Sequence, residues 1–410
     1  MKSRKLTATV ALLGAVALGI GCVAGCAGRP AVAAPAAYSG PLAGTAAGSR
    51  PAGTGSASHP AAGATGSARR HASWPARTVV RENQRELLAN QVVDLQAGAL
   101  YALVPQRTDP ERGPYLLSRT ELASGSVRSG PAFAGGGIAI ASGSLWVFGA
   151  ASQPGSKSSP LVVREVSPQT MAVVRSVALP PPGPVSYVSV AGGPGDSVWI
   201  GDSRAAWRVS AATGAVLAKV TLAARFAIRD VAVDPAGRHL YVSAFNARPQ
   251  GGPGAVFEFD ARSGLRLARA AHGPVTFALS GAALTATPPG VWASYRTGML
   301  GATILLRRRG LVTILPPGYG QPPTSRLGDV YDWPMDATTV YGGGALWLAN
   351  EAGVMACASP RTGGVRARRR TRQGSLLGDD LLAADQPAHL VYDLGTTGLI
   401  AITPPAACWR

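Results

Sequence analysis

An aliphatic residue followed at once by an aromatic one recurs down this chain. The copies are Leu100-Tyr101, Leu145-Trp146, Val198-Trp199, Leu240-Tyr241, Val291-Trp292 and Leu346-Trp347. A weaker seventh copy is Leu390-Val391-Tyr392. The interval is 42 to 55 residues, the range of repeat architectures. A unit of that size cannot bury its apolar face alone, so the copies must stack against one another.

Between these dipeptides the chain reads as short strands punctuated by Gly and Pro, with no sustained helical period. Regular short strands separated by turn signals indicate a sandwich, a barrel or a propeller, and seven copies of one period select the propeller. The expected fold is all-β: a seven-bladed β-propeller of four-stranded antiparallel blades over residues 78–410. In the second repeat the strands are expected at Gly137–Ala141, Ser144–Gly149, Leu161–Ser167 and Met171–Leu179. In the fourth they are expected at Asp230–Asp234, His239–Ala244, Ala255–Asp260 and Leu265–Ala270. Thr78–Arg81 has no blade of its own, whereas the last repeat lacks a clear fourth strand because Pro404-Pro405 interrupts it. The N-terminal segment is therefore expected to supply that strand.

The turn between the third and fourth strands has its own pattern. It reads Ser210-Ala-Ala-Thr-Gly214 and Asp260-Ala-Arg-Ser-Gly264, with looser copies at Ser359–Gly363 and Leu122–Gly125. Asp or Ser accepts backbone hydrogen bonds, and Gly supplies a positive φ. This pattern resembles the YVTN and quinoprotein-like propeller repeats, whose blades share an Asp-x-x-Thr-Gly turn before the outer strand. The resemblance extends over residues 79–410 and implies architecture; it carries no activity with it.

Residues 1–26 read as an export signal. Lys2, Arg4 and Lys5 precede an uncharged apolar or small stretch from Leu6 to Gly25. Its end, Val23-Ala24-Gly25-Cys26, resembles a bacterial lipobox, which would make Cys26 a lipidation site and this chain a lipoprotein. An ordinary secretory signal cut nearby, or an uncleaved spanning helix, is the alternative. Residues 27–77 are rich in Ala, Gly, Ser and Pro and cannot bury enough surface to offset their ordering entropy. They are expected to be a disordered linker. The expected location is extracytoplasmic, on the outer leaflet of the cell membrane.

The net charge is +18, from 39 Lys+Arg against 21 Asp+Glu. Ala, Arg, Gly and Pro share GC-rich codons, and the chain is read as exported, so this excess does not argue for nucleic acid. Of the four cysteines, Cys22 and Cys26 lie in the signal region. Cys357 and Cys408 remain as a pair in an exported domain, where disulfides persist, and are expected to be bridged; two buried thiols are the alternative.

In a propeller the a–b and c–d connections share one face, and the b–c and d–a connections share the other. Here the long segments, Pro105–Pro114, Ala150–Pro160, Asn246–Gly254 and Pro316–Asp336, are all b–c or d–a. Long loops on a rigid scaffold concentrate binding residues. The richest segment holds Tyr319, Tyr331 and Trp333 with Asp329, Asp332 and Asp336, a composition suited to stacking on a sugar or capturing a cationic group. A solvated acidic loop is the competing reading. The opposite face and rim read as basic, through Arg307, Arg308, Arg309, Arg366, Arg368, Arg369 and Arg370. Such charges on edge strands guard against strand addition, or attract anionic lipid.

No catalytic constellation is visible. His239 and His389 fall in a–b turns of distant repeats, and no zinc-type His or Cys spacing and no Gly-x-Ser-x-Gly elbow occurs. Neither cofactor nor metal is expected, and the chain is expected to be a monomer. The expected function is non-catalytic binding of an envelope protein or glycan through the long loops. The alternative is an extracytoplasmic propeller enzyme: a lyase, a hydrolase or a quinone-dependent dehydrogenase.

Overall fold

The structure, a computed structural model, describes residues 74–81, 90–106, 114–134, 137–150, 160–180, 188–247, 254–267, 271–272, 283–297, 300–307, 312–314, 338–349, 354–370, 380–395 and 398–409. The described strands form seven four-stranded antiparallel sheets. Strands are named a to d from the inside outward.

The first sheet is Asn90–Asp94, Ala99–Pro105, Tyr115–Glu121 and Val127–Phe133. The second is Gly137–Ala141, Ser144–Ala150, Leu161–Val166 and Val173–Leu179, and the third is Ser189–Gly192, Ser197–Gly201, Ala205–Ser210 and Val216–Thr221. Phe226–Val233, His239–Asn246, Ala255–Asp260 and Ala271–His272 make the fourth. The fifth holds Ala283–Thr287, Gly290–Thr297, Leu300–Arg307 and Val312–Ile314; the sixth Thr338–Gly342, Ala345–Ala349, Val354–Ala358 and Val365–Arg370. In the seventh, Asp380–Asp385, Leu390–Gly395 and Gly398–Ile402 are joined on the outside by Ala76–Arg81, which pairs Ala76 with Ile402 and Arg81 with Gly398.

The a strands pack side by side in chain order, and Asn90–Asp94 also packs against Asp380–Asp385. The sheets are thus the blades of a β-propeller. Every aliphatic–aromatic dipeptide lies in strand b of its sheet, and none of the fourteen side chains is more than 4% exposed. Fully burying such a side chain is worth about 1.5–3 kcal/mol. The buried clusters each draw on two neighbouring sheets: Trp146 and Phe148 pack with Val198 and Trp207, and Trp199 packs with Val242 and Phe257. This is the stacking that the period demanded.

The aromatic tips also tie the sheets together. Tyr101 donates its hydroxyl to the Pro168 carbonyl at 2.6 Å, in the c–d turn of the next sheet. Trp199 Nε1 donates to Ala261 O at 2.9 Å and Trp292 Nε1 to Pro360 O at 3.0 Å, again in the following sheet's c–d turn. Trp146 and Trp347 instead donate to Ala141 O and Gly342 O in their own a–b turns. A buried aromatic with a polar tip needs such a partner.

Two local differences from the sequence reading stand out. Trp74, assigned to the linker by composition, is 4% exposed and packs with Trp347, Val391 and Cys408. In the fourth sheet, the expected outer strand 265–270 is replaced by an isolated bridge, Phe259 to Arg266, and by Ala271–His272 pairing with Val256 and Ala255.

Cys357, in strand c of the sixth sheet, is bonded to Cys408. Cys408 lies in the short 3-10 helix Ala406–Trp409 that follows the seventh sheet. Trp409 of that helix sits 4.8 Å from the Trp347 ring and 5.5 Å from His389.

Candidate functional site

The a–b and c–d connections are tight turns at one end of the sheets, here called the turn side. Five c–d turns close with the same hydrogen bond, from the fifth residue's N–H to the first residue's carbonyl at 2.8 Å. They are Gly125 to Glu121, Met171 to Ser167, Gly214 to Ser210, Gly264 to Asp260 and Gly363 to Ser359. The donor residue has φ between 57° and 74° in all five. The Asp260 carboxylate accepts from Arg262 N, Ser263 N and Ser263 Oγ; these bonds, led by the Ser263 hydroxyl, hold it below its ordinary range. Carboxylates cap the a–b turns in the same way. Asp94 accepts from Gln96 N and Ala97 N, and Asp234 accepts from Arg238 N and His239 N.

A notch of about 550 Å³ opens on this side between the third and fourth sheets. Gly193, Pro194 and Gly195 form one wall; Gly237 and Arg238, with Asp260 and Arg262, form the other. Arg208 bridges the two walls. Its Nε donates to Ser197 Oγ, its Nη2 to Pro194 O and its Nη1 to Arg262 O, each at 2.9 Å. Burial, with Arg262 close by, pulls the Arg208 guanidinium below its ordinary value. Arg238 and Arg262 are exposed at the mouth. The lining thus carries two arginines and the Asp260 carboxylate.

Hydrogen bonds cross between the inner strands where the sheets converge. The Asp230 carboxylate accepts from Ser189 Oγ of the third sheet, and from Leu284 N of the fifth at 2.7 Å. A register shift between Ile228 and Asp230 aims it there. Desolvation raises its pKa. Thr285 Oγ1 likewise reaches Thr339 Oγ1 of the next sheet at 2.7 Å. These groups stitch the centre of the ring.

The sequence-predicted ligand residues Tyr319, Tyr331, Trp333, Asp329, Asp332 and Asp336 lie outside the described residues, as do Cys26, Arg308 and Arg309. The flanks of the long segments are described. Pro105 pairs with Tyr115 and Ala150 with Leu161 at the end of the sheets opposite the turn side, called the loop side. The arginine run falls on strand d of the sixth sheet, Val365–Arg370, as expected, but its members diverge. Arg366 Nη1 donates to Cys408 O at 3.3 Å and to Gly344 O at 3.4 Å. Arg369 is half-buried near Asp393, and burial lowers its pKa. Arg368 is exposed. Arg307 ends strand c of the fifth sheet.

Sequence reasoning missed the notch and the Asp230 link. The Gly-Pro-Gly and Pro-Ala-Gly-Arg turns at 193–195 and 235–238 carried the signal for the notch. His239 donates its backbone N–H to Asp234, and its Nδ1 lies 2.8 Å from Glu258 Oε1. His389 stacks on Trp409 with φ 52°. His389 is a turn residue, as its position implied, whereas His239 is the first residue of strand b in the fourth sheet. Among the described residues, no group of three or more His, Cys, Asp or Glu is placed to hold a metal ion. Among them, too, no helix is long and apolar enough to cross a membrane.

No family model and no curated protein matches this chain. Among solved structures it is similar to the crystal structure of BamB from Moraxella catarrhalis, with 15% identity over 76% of this chain and 82% of that one, at a TM-score of 0.46.

Proposed function

We propose that this chain is an exported, non-catalytic binding propeller: seven blades latched by the outer strand Ala76–Arg81, with the loop side engaging an envelope protein or glycan. The observation that carries this reading is how the frame's carboxylates are used. Asp94, Asp202, Asp234, Asp260 and Asp385 accept backbone N–H bonds in tight connections. Asp230 joins three sheets, Glu165 accepts from Ser144 Oγ, and Glu258 faces His239. Groups committed in this way make the ring rigid and leave recognition to the loops. The disulfide agrees with an oxidising compartment outside the cytoplasm, and the Cys26 motif supports anchoring there.

The test compares recovery of partners from envelope extract by the chain and by its Tyr331→Ala/Trp333→Ala variant. Aromatic anchors carry a large share of such contacts, so recovery is expected to fall about tenfold or more with the unfolding midpoint unchanged. Equal recovery by both would remove the aromatic loop as the contact.

A further inference from the structure

Among the described residues, every large aliphatic side chain left strongly exposed lies on the turn side. Leu95 sits in the a–b turn of the first sheet. The other eight follow directly on c–d turns, at the start of the outer edge: Val127, Val173, Val174, Val216, Leu217, Leu265, Leu267 and Val365, between 43% and 69% exposed. Five sheets thus present apolar side chains at the same rim height. An outer edge that needed only solubility would carry polar residues there, as it does further along the same strands at Lys219 and Thr221.

The exposed charge on that side is mostly basic. Arg77, Arg128, Arg238, Arg262, Arg266 and Arg361 are exposed in the turns or within the first residues of the outer strands. Of the described turn-side carboxylates, Asp196 alone is exposed; the others cap turns or face a basic side chain. Arg266 stands between Leu265 and Leu267. The same side receives the chain's N-terminal stretch. Ala76 pairs with Ile402, the turn-side end of strand c, and Thr403 N bonds Pro75 O at 2.8 Å. The described chain therefore enters the ring at Trp74 from this side.

We infer that the turn side docks flat on an anionic phospholipid bilayer. The rim aliphatics would enter the headgroup boundary and the arginines pair with phosphates, the combination of apolar area and basic charge that holds peripheral proteins. The loop side then points away from the membrane. This inference is independent of what the loops bind.

The test uses the full chain with Cys22→Ser and Cys26→Ser, which leaves Cys357 and Cys408 in their disulfide. An environment-sensitive fluorophore is attached through Leu217→Cys or through Thr221→Cys, the turn-side and loop-side ends of one outer strand. Vesicles are phosphatidylglycerol and phosphatidylcholine in equal parts, or phosphatidylcholine alone. The expected result is a blue shift at 217 and none at 221, on anionic vesicles only, reversed by high salt. A second variant, Val174→Ser/Leu265→Ser/Leu267→Ser, should lower vesicle partitioning about tenfold or more at an unchanged unfolding midpoint. The apolar segment at residues 6–25 is common to every variant, so differences between them read the rim. Equal shifts at 217 and 221, co-sedimentation with no shift at 217, binding indifferent to lipid charge, or no co-sedimentation would each overturn the proposal.

Discussion

Trp199 shows how one side chain serves two sheets. Its ring fills the space between the third and fourth sheets, and its N–H closes on the Ala261 carbonyl. Trp199→Phe keeps most of the apolar contact but strands a buried carbonyl, so chemical denaturation should show a loss of about 1–3 kcal/mol. Asp230 contributes differently. Burial raises its folded pKa above the unfolded value, so the native state holds the proton more tightly. Its contribution is complete below the ordinary carboxylate range and is lost as pH rises through the raised value. Asp202, raised by the same cause, adds in the same direction. Stability of Asp230→Asn should therefore fall less than that of the parent between pH 4 and pH 7; parallel curves would show that the carboxyl does not titrate there. Trp199 could be read from sequence because burial restricts its position to large apolar types. Asp230 could not, because its role depends on a register shift at residue 229 that no local pattern marks.

The c–d turn is the element the sequence reports most faithfully. Its requirements are local: a side-chain oxygen to accept N–H groups and a residue that tolerates positive φ. Met171 fills the glycine position at φ 57°, and its side chain, 4% exposed, packs into the cluster formed by the first and second sheets. Packing there offsets the left-handed backbone, which is why the glycine signal is missing from that repeat. At Gly264 (φ 73°) no such gain is available, since an added Cβ would come within 3.2 Å of Val220. Gly264→Ala should cost about 1–2 kcal/mol, read as a lowered denaturation midpoint, with the notch beside Asp260 loosened. Strand ends are less legible. Residues 265–267 turn back toward Glu258 through a Leu267 N–H bond and a single bridge, where alternation alone suggested six residues of strand. Outer-edge residues are exposed on one face, so their sequence is weakly constrained.

At the scale of the whole molecule, the period gave the sheets because stacking is the one way for such units to bury their apolar faces. The preferred ligand segment, 316–336, gave only a composition, since recognition depends on where loop side chains converge and not on any repeat. The seam between the sixth and seventh sheets is where Trp74 meets the segment that follows the last strand. Trp74, Cys408 and Trp409 all pack there against Trp347 and its neighbours. Gly343, at φ 60°, leaves room for the Trp409 ring, which would sit 2.4 Å from an added Cβ. Arg366 holds the same helix through the Cys408 carbonyl. The disulfide closes 51 residues of chain across this seam. In the loop-entropy account that is worth about 4 kcal/mol, a large share of a typical domain's stability. Cys357→Ser/Cys408→Ser should therefore lower the unfolding free energy by that order, read as a lowered urea midpoint. The parent in reductant should converge on the variant, while oxidising conditions should move only the parent. Beside that seam, within the seventh sheet, Ala76–Arg81 pairs with Gly398–Ile402. Opening the seam should expose amides of strand c in the seventh sheet to hydrogen exchange before those of the third sheet. If exchange rose equally in all sheets, the ring would be opening as one unit, and the bridge would be stabilising it everywhere alike.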